Sequence, residues 1–553
     1  MLKKIIKILA WFFGFLVLLL IVLVIYVRIV SVTTPPEITT TNTDVDALVT
    51  EPDSGLYKVK NNWFRKSESG LYELYVEGEP YERGVANGKL TRDLVQYQEQ
   101  VFTDQIHRLV PSNFYLGMLK YMVGWFNRDL TDNISEEYKQ EIYGVSQVAS
   151  HNFDDIAQPY QRILNYHAAH DIGHALQNMS LVGCTSFATW GDQSEDSTLI
   201  VGRNFDFYVG DEFARDKIIA FYNPAKGRKF MMVTFGGMTG VLSGMNDAGL
   251  TVTINAAKSE IPTASATPVS LVAREILQYA TDIEEAKAIA SKRKMFVAES
   301  FLIGSAKDGK AVLIEKSPEA MDVYEATGNR IVSTNHFQGE TLGNTQLNRD
   351  HVKTSASPYR YKRVEELLNA QGPNTIAKTA KILRNQKGLL GEDIGLGNEK
   401  AINQLVAHHG IIFQPEKRLV WISTAPWQLG KFVCYDLNKV FARNMTVNEE
   451  IIEQDRTLPA DSFLLTSAYT QYLKFSPYRF PFNPRHDLVP DSVVKWNPQS
   501  YHAYMLAGDF CYDHQAWQQA IPFYEEGLKK EVATVQEREH MQRNLEHAKA
   551  SLK

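Results

Sequence analysis

Cysteine is scarce in this chain of 553 residues, which holds only Cys184, Cys434 and Cys511. No two of them form a Cys-x-x-Cys pair, and this argues against a disulfide scaffold and against a cysteine-ligated zinc site. An excess of positive charge is also lacking, because the net charge is −6. The composition therefore gives no indication of a nucleic-acid partner.

One long run without charge stands out near the N-terminus, at residues 8–27, bounded by Lys7 and Arg28. At about 1.5 Å per residue, a helix of this length crosses a hydrocarbon core of roughly 30 Å. A signal peptide has a shorter apolar core and then a small-x-small cleavage site, whereas Arg28 follows this run at once. The run therefore predicts an uncleaved transmembrane anchor over residues 1–30.

The charges around this run predict its orientation. Lys3, Lys4 and Lys7 precede it, whereas Arg28 is the only basic residue close behind it. Because basic residues favour the cytoplasmic side, we expect a single-pass membrane protein. Its N-terminus would lie inside and its catalytic part on the extracytoplasmic side.

The rest of the chain changes character along its length. Residues 31–65 predict a linker, residues 66–183 carry mainly helical patterns, and one amphipathic helical stretch covers about 269–292. Short β-rich runs separated by turn clusters dominate after Cys184. Strand runs interrupted by helices predict an α+β fold of layered sheets with helices outside them. The strand runs are residues 185–190, 198–207, 229–235, 250–255, 300–303, 311–315, 330–333, 419–423 and 431–436.

The C-terminal region, residues 456–553, is predicted to be helical again. Residues 501–530 resemble one tetratricopeptide unit, since Gly508, Ala520 and Tyr524 fall at its small and aromatic positions. A single repeat cannot bury its own face, so we expect the region to pack on the preceding domain. A plain helical hairpin and a segment that binds a partner protein are both left open.

Cys184 follows Gly183 at the start of a strand-like run. A lone internal cysteine is most often a small apolar core residue, and a polar residue at the end of a strand is most often part of a turn. Here, however, polar residues suited to catalysis recur at the ends of several predicted strands. They are Arg203, Asp206, Asn255, Asn335, His336 and Arg360.

The order of these residues resembles the N-terminal-nucleophile (Ntn) hydrolases. The nearest groups are the C45-type autoproteolytic acyltransferases and hydrolases (penicillin acyl-CoA acyltransferase-like) and the related choloylglycine hydrolases. The resemblance covers about residues 75–440. The segments that carry it are EGEPYERG (77–84), NG (87–88), GCTS (183–186), GRNFDF (202–207), NDAGL (246–250), STNHF (333–337), SPYR (357–360) and VW (420–421).

The resemblance implies a four-layered αββα core, with residues 66–183 as a pro-segment and 184–455 as the catalytic chain. It also implies that the Gly183–Cys184 bond breaks: Cys184 attacks the preceding carbonyl, an N-to-S acyl shift follows, and water releases a new N-terminus. The new α-amino group has a reference pKa of ~7.7–8.0, so it can serve as general base for its own thiol.

The resemblance implies further roles on either side of Cys184. Asp206 would orient the new amino group. Arg203 lies three residues earlier and hence on the opposite face of an ideal strand, so a bend is needed if both residues enter the site.

Three later residues complete the implied site. Asn255 and Asn335 would supply oxyanion or amino-group contacts, and Arg360 would brace the site electrostatically, with Arg363 as a nearby alternative. The resemblance implies no metal and no cofactor.

Two hypotheses follow. In the first, the chain is an enzyme that passes an acyl group from a small-molecule amide or thioester to Cys184 and then to water or an amine. In the second, it is a catalytically inactive membrane-anchored scaffold whose helical tail binds a protein. Inertness of Cys184 toward thiol-directed probes would favour the scaffold.

The sequence names neither the acyl donor nor the acceptor. A flexible linker of about 30–40 residues would hold the site within about 30–40 Å of the bilayer. Because lipid-like substrates are concentrated at the membrane, we expect the acyl group to be lipophilic.

Overall fold

The structure, a computed structural model, describes residues 2–38, 46–176, 183–208, 210–260, 265–480 and 487–553. The strands in these ranges are β1 (Thr50–Asp53), β2 (Leu56–Val59), β3 (Asn62–Lys66), β4 (Tyr72–Gly78), β5 (Thr185–Thr189), β6 (Ile200–Asp206), β7 (Ile218–Pro224), β8 (Phe230–Thr234), β9 (Ser243–Asn246), β10 (Leu250–Ala256), β11 (Glu299–Ser305), β12 (Lys310–Lys316), β13 (Met321–Tyr324), β14 (Arg330–Ser333), β15 (Ala407–Gln414), β16 (Leu419–Ser423) and β17 (Phe432–Asp436).

Helices precede, separate and follow these strands. They are α1 (Leu2–Val30), α2 (Pro80–Leu90), α3 (Arg92–Leu109), α4 (Asn113–Phe126), α5 (Glu136–Ser146), α6 (Pro159–Leu176), α7 (Asp211–Arg215), α8 (Val269–Tyr279), α9 (Ile283–Lys292), α10 (Gln346–Thr354), α11 (Ser357–Gln371), α12 (Ile376–Leu383), α13 (Leu437–Ala442), α14 (Ser467–Phe475), α15 (Pro490–Trp496), α16 (Tyr501–Asp513), α17 (Trp517–Gly527) and α18 (Val535–Ser551).

Within the described ranges the strands form two sheets. The larger has eleven strands in the order β1-β2-β3-β4-β7-β8-β9-β10-β11-β12-β13, and the smaller has six in the order β14-β5-β6-β15-β16-β17. Neighbours such as β5 and β6 pair antiparallel, whereas β4 and β7 pair in parallel. The parallel pair joins the segment before Cys184 to the segment after it within one sheet.

The two sheets pack face to face. Their inner faces share one apolar core, to which both contribute, through Phe221, Val233 and Leu313 from the larger sheet and Val201 and Ile411 from the smaller. Alternate residues of each strand point to the other face, and helices cover both outer faces. The residues of those outer contacts include Val95, Ile142, Ile254 and Ile276 on the larger sheet and Phe187, Val364, Leu383 and Trp421 on the smaller.

The resulting order of layers is helix, sheet, sheet, helix. The mixed helix-and-sheet class predicted from the sequence is confirmed.

Strand β5 begins directly after Cys184 and pairs with β6, so that Ser186 lies opposite Arg203. On its other side β6 pairs with β15, and the register there shifts between Ala407 and His409. This irregularity falls at Asp206, where the Arg-x-x-Asp spacing required a departure from an ideal strand.

The predicted linker is shorter in the structure than the expected residues 31–65. Strands β1 to β3 lie between Thr50 and Lys66 and belong to the larger sheet, where Leu56 and Trp63 are buried. Each strand is four or five residues long, too short to show a clear alternation of apolar residues. The linker therefore ends before Thr50.

Helix α1 carries the predicted anchor. It is long and apolar enough to cross a membrane and is not buried against the rest of the chain, features that a signal sequence near an N-terminus shares. Just beyond it, Ser31 Oγ donates to the carbonyl of Tyr121 at 3.4 Å, and Gln161 Nε2 donates to the carbonyl of Ser31 at 2.5 Å. These bonds tie the end of α1 to α4 and α6. Its orientation across a membrane stays a prediction.

The C-terminal helices pack on the preceding domain, as expected. Lys400 Nζ lies 2.5 Å from Glu531 Oε1, and Tyr501 OH donates to Glu399 Oε2 at 2.9 Å. Gly508 permits the close approach of α16 and α17, because a Cβ there would lie 2.6 Å from the Tyr524 ring. The likeness to a tetratricopeptide unit and the binding of a protein partner stay predictions.

Candidate active site

Cys184 lies at one end of the β5–β6 pair. Its side chain is buried, and its Sγ lies 3.7 Å from the carbonyl oxygen of Asp206 and 3.7 Å from Nη2 of Arg203. Burial raises the pKa of the thiol to about 11, although the Arg203 guanidinium acts in the opposite direction. The intact chain therefore holds a neutral, covered thiol, and inertness toward thiol-directed probes before cleavage does not distinguish the enzyme from the scaffold.

Arg203 is held rigidly beside this thiol. Its Nη1 donates to the carbonyl of Leu242 at 3.0 Å and to Ser243 Oγ at 2.5 Å, and its Nη2 donates to the carbonyl of Ile254. The whole side chain is buried. A fixed cation at this place favours the thiolate form of Cys184 over the thiol.

The carboxylate of Asp206 is buried, and none of the described residues donates a hydrogen bond to it. Burial raises its pKa to about 7, with Arg360 and then Arg203 acting in the opposite direction. The backbone of the same residue contacts the expected cleavage point, because its carbonyl accepts from the N–H of Gly183 at 3.0 Å. A carboxylate without donors, close enough to Cys184 to affect its pKa, is suited to accept a proton or a new amino group.

Asn255 and Asn335 contact different parts of the site around Cys184. Asn255 Nδ2 donates to Ser186 Oγ at 2.6 Å and to the carbonyl of Ser333 at 3.1 Å, while its buried Oδ1 receives no hydrogen bond from the described part of the chain. Asn335 Oδ1 accepts from Arg360 Nη2 at 2.7 Å. Asn255 thus adjoins strand β5 just beyond Cys184, whereas Asn335 orients Arg360.

Helix α11 places Arg360 on the predicted cleavage point. Its Nη1 donates to the carbonyl oxygens of Gly183 and Cys184, each at 2.6 Å. Arg363 instead pairs with Glu366 at 3.0 Å. Burial lowers the pKa of Arg360 to about 10, so the guanidinium is still charged at neutral pH. Of the two arginines that the sequence left as alternatives, Arg360 is the one at the Gly183–Cys184 bond.

Gln404 is a site residue that the sequence did not indicate. It lies just before β15, and its Nε2 donates to the carbonyl oxygen of Gly183 at 2.7 Å. A glutamine without a surrounding motif, more than two hundred residues from Gly183, gives no signal in a single sequence.

Glu299 is a second residue that was missed. Its side chain is fully buried at the start of β11, and neither carboxylate oxygen has a hydrogen-bond partner among the described residues. Burial raises its pKa well above the usual range, Asp171 adds to the effect, and Arg203 opposes it. The signal in the sequence that could have found Glu299 is a charged residue at the start of an apolar strand run.

The arrangement brings a thiol, a fixed cation, a carboxylate without donors and a polarised carbonyl to one point. Asp206, Arg203 and Arg360 surround the Gly183–Cys184 bond, with Asn335 behind Arg360 and Asn255 next to β5. Among the described residues, no group of three or more His, Cys, Asp or Glu side chains is placed to hold a metal ion. Such a set can support nucleophilic attack of sulfur on an acyl carbon.

The family model described as "Acyl-coenzyme A:6-aminopenicillanic acid acyl-transferase" matches residues 193–423. The match covers less than half of the chain, so residues 193–423 resemble a domain of this acyl-transferase family. The matched range begins after Cys184 and contains the other candidate residues, which are Arg203, Asp206, Asn255, Asn335 and Arg360.

Curated relatives resemble part of the chain at low identity. An uncharacterized protein of Archaeoglobus fulgidus is 26% identical over 266 residues, which are 44% of this chain and 43% of that protein. The acid ceramidase of Heterocephalus glaber is 22% identical over 298 residues, 48% of this chain and 69% of the ceramidase. Protein dcd1B of Dictyostelium discoideum is 21% identical over 46% of this chain and 51% of its own length. This chain thus spans less than half of the first relative and about half of the third.

Solved structures also align with part of the chain. A Caenorhabditis elegans ortholog of N-acylethanolamine-hydrolyzing acid amidase has a TM-score of 0.31 and 18% identity, covering 42% of this chain and 93% of its own. A variant of the conjugated bile acid hydrolase of Clostridium perfringens has a TM-score of 0.31 and 15% identity, covering 46% of this chain and 93% of its own.

Proposed function

We propose that the chain is a self-cleaving cysteine hydrolase or acyltransferase of the Ntn type. In this proposal it breaks its own Gly183–Cys184 bond and then carries acyl groups on Cys184. The observation that carries the proposal is the contact of Arg360 Nη1 with the carbonyl of Gly183 at 2.6 Å. A charged donor on the carbonyl that precedes a buried cysteine stabilises the anion formed when sulfur adds to that carbonyl.

The self-cleavage would proceed through a thioester. Cys184 Sγ bonds to the Gly183 carbonyl carbon, and the carbonyl electrons move onto oxygen beside Arg360. The carbon–nitrogen bond then breaks, and the nitrogen takes up the proton that the thiol has lost. In this proposal Asp206, whose carboxylate receives no hydrogen bond from the described residues, carries that proton between sulfur and nitrogen.

Water completes the cleavage. It adds to the thioester, and the thiol leaves with one of the water's protons. The products are residues 1–183 ending in a carboxylate and residues 184–553 beginning with the free amino group of Cys184. This amino group then acts as the base for the Cys184 thiol in the reaction with substrate, and Asp206 accepts hydrogen bonds from it.

The substrate class is a small-molecule acyl amide or acyl thioester. Acid ceramidase and the amidase ortholog are named for reactions on amides of lipids, and the bile acid hydrolase for conjugated bile acids. We propose the same bond class here, with an acyl group that is lipophilic and a domain held at the membrane by α1. Whether water or an amine takes the acyl group from Cys184 depends on which of them reaches the thioester first.

Denaturing gels with N-terminal sequencing test the proposal. Purified wild-type chain should give two fragments, and the sequence of the second should begin Cys184-Thr185-Ser186. The Cys184→Ala variant, purified in the same way, is the control and should stay whole. A wild-type protein that remains one uncut chain overturns the self-cleavage.

Mass spectrometry names the acyl group. The matured enzyme is mixed with acyl amides and acyl thioesters of different chain length, quenched with acid and digested. An added mass on the peptide that begins at Cys184 identifies the acyl group. Absence of any adduct, together with no loss of substrate, would favour the inactive scaffold.

A further inference from the structure

Gln404 makes a contact that the acyl-transferase resemblance does not assign. Its Nε2 donates to the carbonyl oxygen of Gly183 at 2.7 Å, and Arg360 Nη1 donates to the same oxygen at 2.6 Å. The Gln404 side chain is buried, with 4% of its surface exposed. Two donors on one carbonyl oxygen use both of its lone pairs, and this is the arrangement that stabilises an oxyanion.

The backbone around Gln404 is held in place from two directions. Arg479 Nη1 donates to the carbonyl of Gln404 at 2.7 Å, and Asn403 Oδ1 accepts from the N–H of Leu405 at 3.0 Å. Leu405 has a φ of 56°, a left-handed conformation that a branched side chain adopts only where its surroundings impose it. The C-terminal region, through Arg479, therefore fixes where Gln404 points.

We propose that Gln404 is the second oxyanion donor of the self-cleavage. This inference rests on the proposed function. When Cys184 Sγ adds to the Gly183 carbonyl carbon, the carbonyl oxygen becomes negative between the Gln404 amide and the Arg360 guanidinium. Gln404 is neutral, so its donation does not depend on pH.

The lack of a side chain at residue 183 supports this role. A Cβ on Gly183 would overlap Nε2 of Gln404 and would lie 2.6 Å from its Oε1. Real Cβ contacts are not that short, and the group in the way is the far end of a flexible side chain. Glycine thus lets the amide reach the carbonyl, whereas alanine would push the amide off the oxygen.

A double-mutant cycle on the full chain tests the proposal. The variants are Gln404→Ala, Gly183→Ala and the pair together, synthesised in the presence of phospholipid vesicles and followed by gel for the half-time of cleavage. Each single variant should cleave ~10²–10³-fold more slowly, the usual effect of losing one oxyanion donor. The double variant should be no slower than either single one, since both act through one amide.

Two further variants complete the design. Gln404→Glu keeps the shape but places a carboxylate beside the developing anion, so it should cleave more slowly than Gln404→Ala. Gln428→Ala is the matched control, because Gln428 is also a buried glutamine but its Nε2 donates to the carbonyl of Leu383 at 3.3 Å. It should cleave at the wild-type rate, and thermal unfolding of each variant reports whether it has folded.

The outcomes separate this inference from the proposed function. If wild type is cut while folded Gln404→Ala and Gln404→Glu are cut equally fast, Gln404 is not a donor and self-cleavage stands. If the effects of Gly183→Ala and Gln404→Ala multiply, glycine is needed for a reason other than Gln404. If wild type itself is never cut, the proposed function fails first. Slowing in Gln404→Ala without slowing in Gln428→Ala supports the inference.

Discussion

The two faces of the β5–β6 strand pair hold different chemistry around Cys184. The inner face, toward the larger sheet, holds Cys184 Sγ and Arg203, with Asn255 bonded to Ser186. The outer face, toward helix α11, holds Arg360 on the carbonyls of Gly183 and Cys184. One face therefore serves the sulfur and the other serves the carbonyl that it would attack.

This division means that cleavage of the chain and turnover of substrate need not depend on the same residues. In the proposed cleavage, the outer donors would act on the Gly183 carbonyl, which would leave with the first fragment. The inner residues would stay beside the Cys184 thiol. Substitutions on the two faces should therefore separate the two reactions.

The largest effect is expected from substitution of Cys184, which contacts Arg203 on the inner face and Arg360 on the outer face. Cys184→Ala removes the sulfur, so both chain cleavage and substrate turnover should be abolished. Cys184→Ser keeps a hydroxyl that can perform the same acyl shift more slowly. A gel for cleavage and an acyl-amide assay for turnover measure the two. Cleavage in Cys184→Ala would point to a contaminating protease and end the proposal.

Arg360→Met should slow chain cleavage by ~10²–10³, because it removes the charged donor from the Gly183 carbonyl. The matched control is Arg363→Met, on the same helix but paired with Glu366, which should cleave normally. The half-time of cleavage in a time course after synthesis measures the effect. Equal half-times for the two variants would contradict the outer-face role.

Asn255→Ala tests the inner face. The loss of its amide beside β5 should lower kcat/KM by ~10², whereas chain cleavage should change little because Asn255 does not touch the Gly183 carbonyl. Measured on protein that has been fully cut, the two readouts should diverge. If cleavage falls as far as turnover, the faces are not independent.

Asp206→Asn should show itself in the pH dependence of stability. Burial raises the pKa of Asp206 from 3.8 to about 7, so the folded chain favours the protonated form and loses stability as pH rises from about 4 to 7. Asparagine stays neutral. In uncut Cys184→Ala protein, adding Asp206→Asn should raise the Tm by an amount that grows over this range and is constant above it. A constant Tm difference across the whole range would contradict the shifted pKa.

The sequence was sufficient to predict strands where apolar runs are bounded by turns. Strands β8 and β10 were predicted at 229–235 and 250–255 and lie at Phe230–Thr234 and Leu250–Ala256. The predicted single helix over 269–292 is instead two helices, α8 and α9, because Asp282 accepts from the N–H of Glu285 and starts a new helix. Strand β15 was missed, since its residues Ala407–Gln414 include two adjacent histidines followed by a glycine.

The site residues also divide into those that the sequence could predict and those that it could not. Cys184, Asp206 and Arg360 could be found because each lies in a short ordered motif. Gln404 could not, because its contact with Gly183 joins residues 221 positions apart and depends on Arg479 from the C-terminal region. Long-range placement of this kind follows from how whole elements pack and has no local pattern.

The smallest effect is expected from removing helix α1. A chain that begins at Ser31 keeps the bonds of Ser31 to Tyr121 and Gln161 and all of the larger sheet, so it should fold and cleave as the full chain does. With phospholipid vesicles and long-chain N-acyl substrates, the full chain should be several-fold faster, because a membrane anchor at α1 would place the site where such substrates concentrate. With short, soluble acyl amides the two should be equal, since the anchor contacts neither the thiol nor the outer donors. The ratio of long-chain to short-chain rates in each protein is the measurement. If both proteins prefer short, polar acyl groups to the same degree, the lipophilic substrate class is wrong, while the division of the site between its two faces is unaffected.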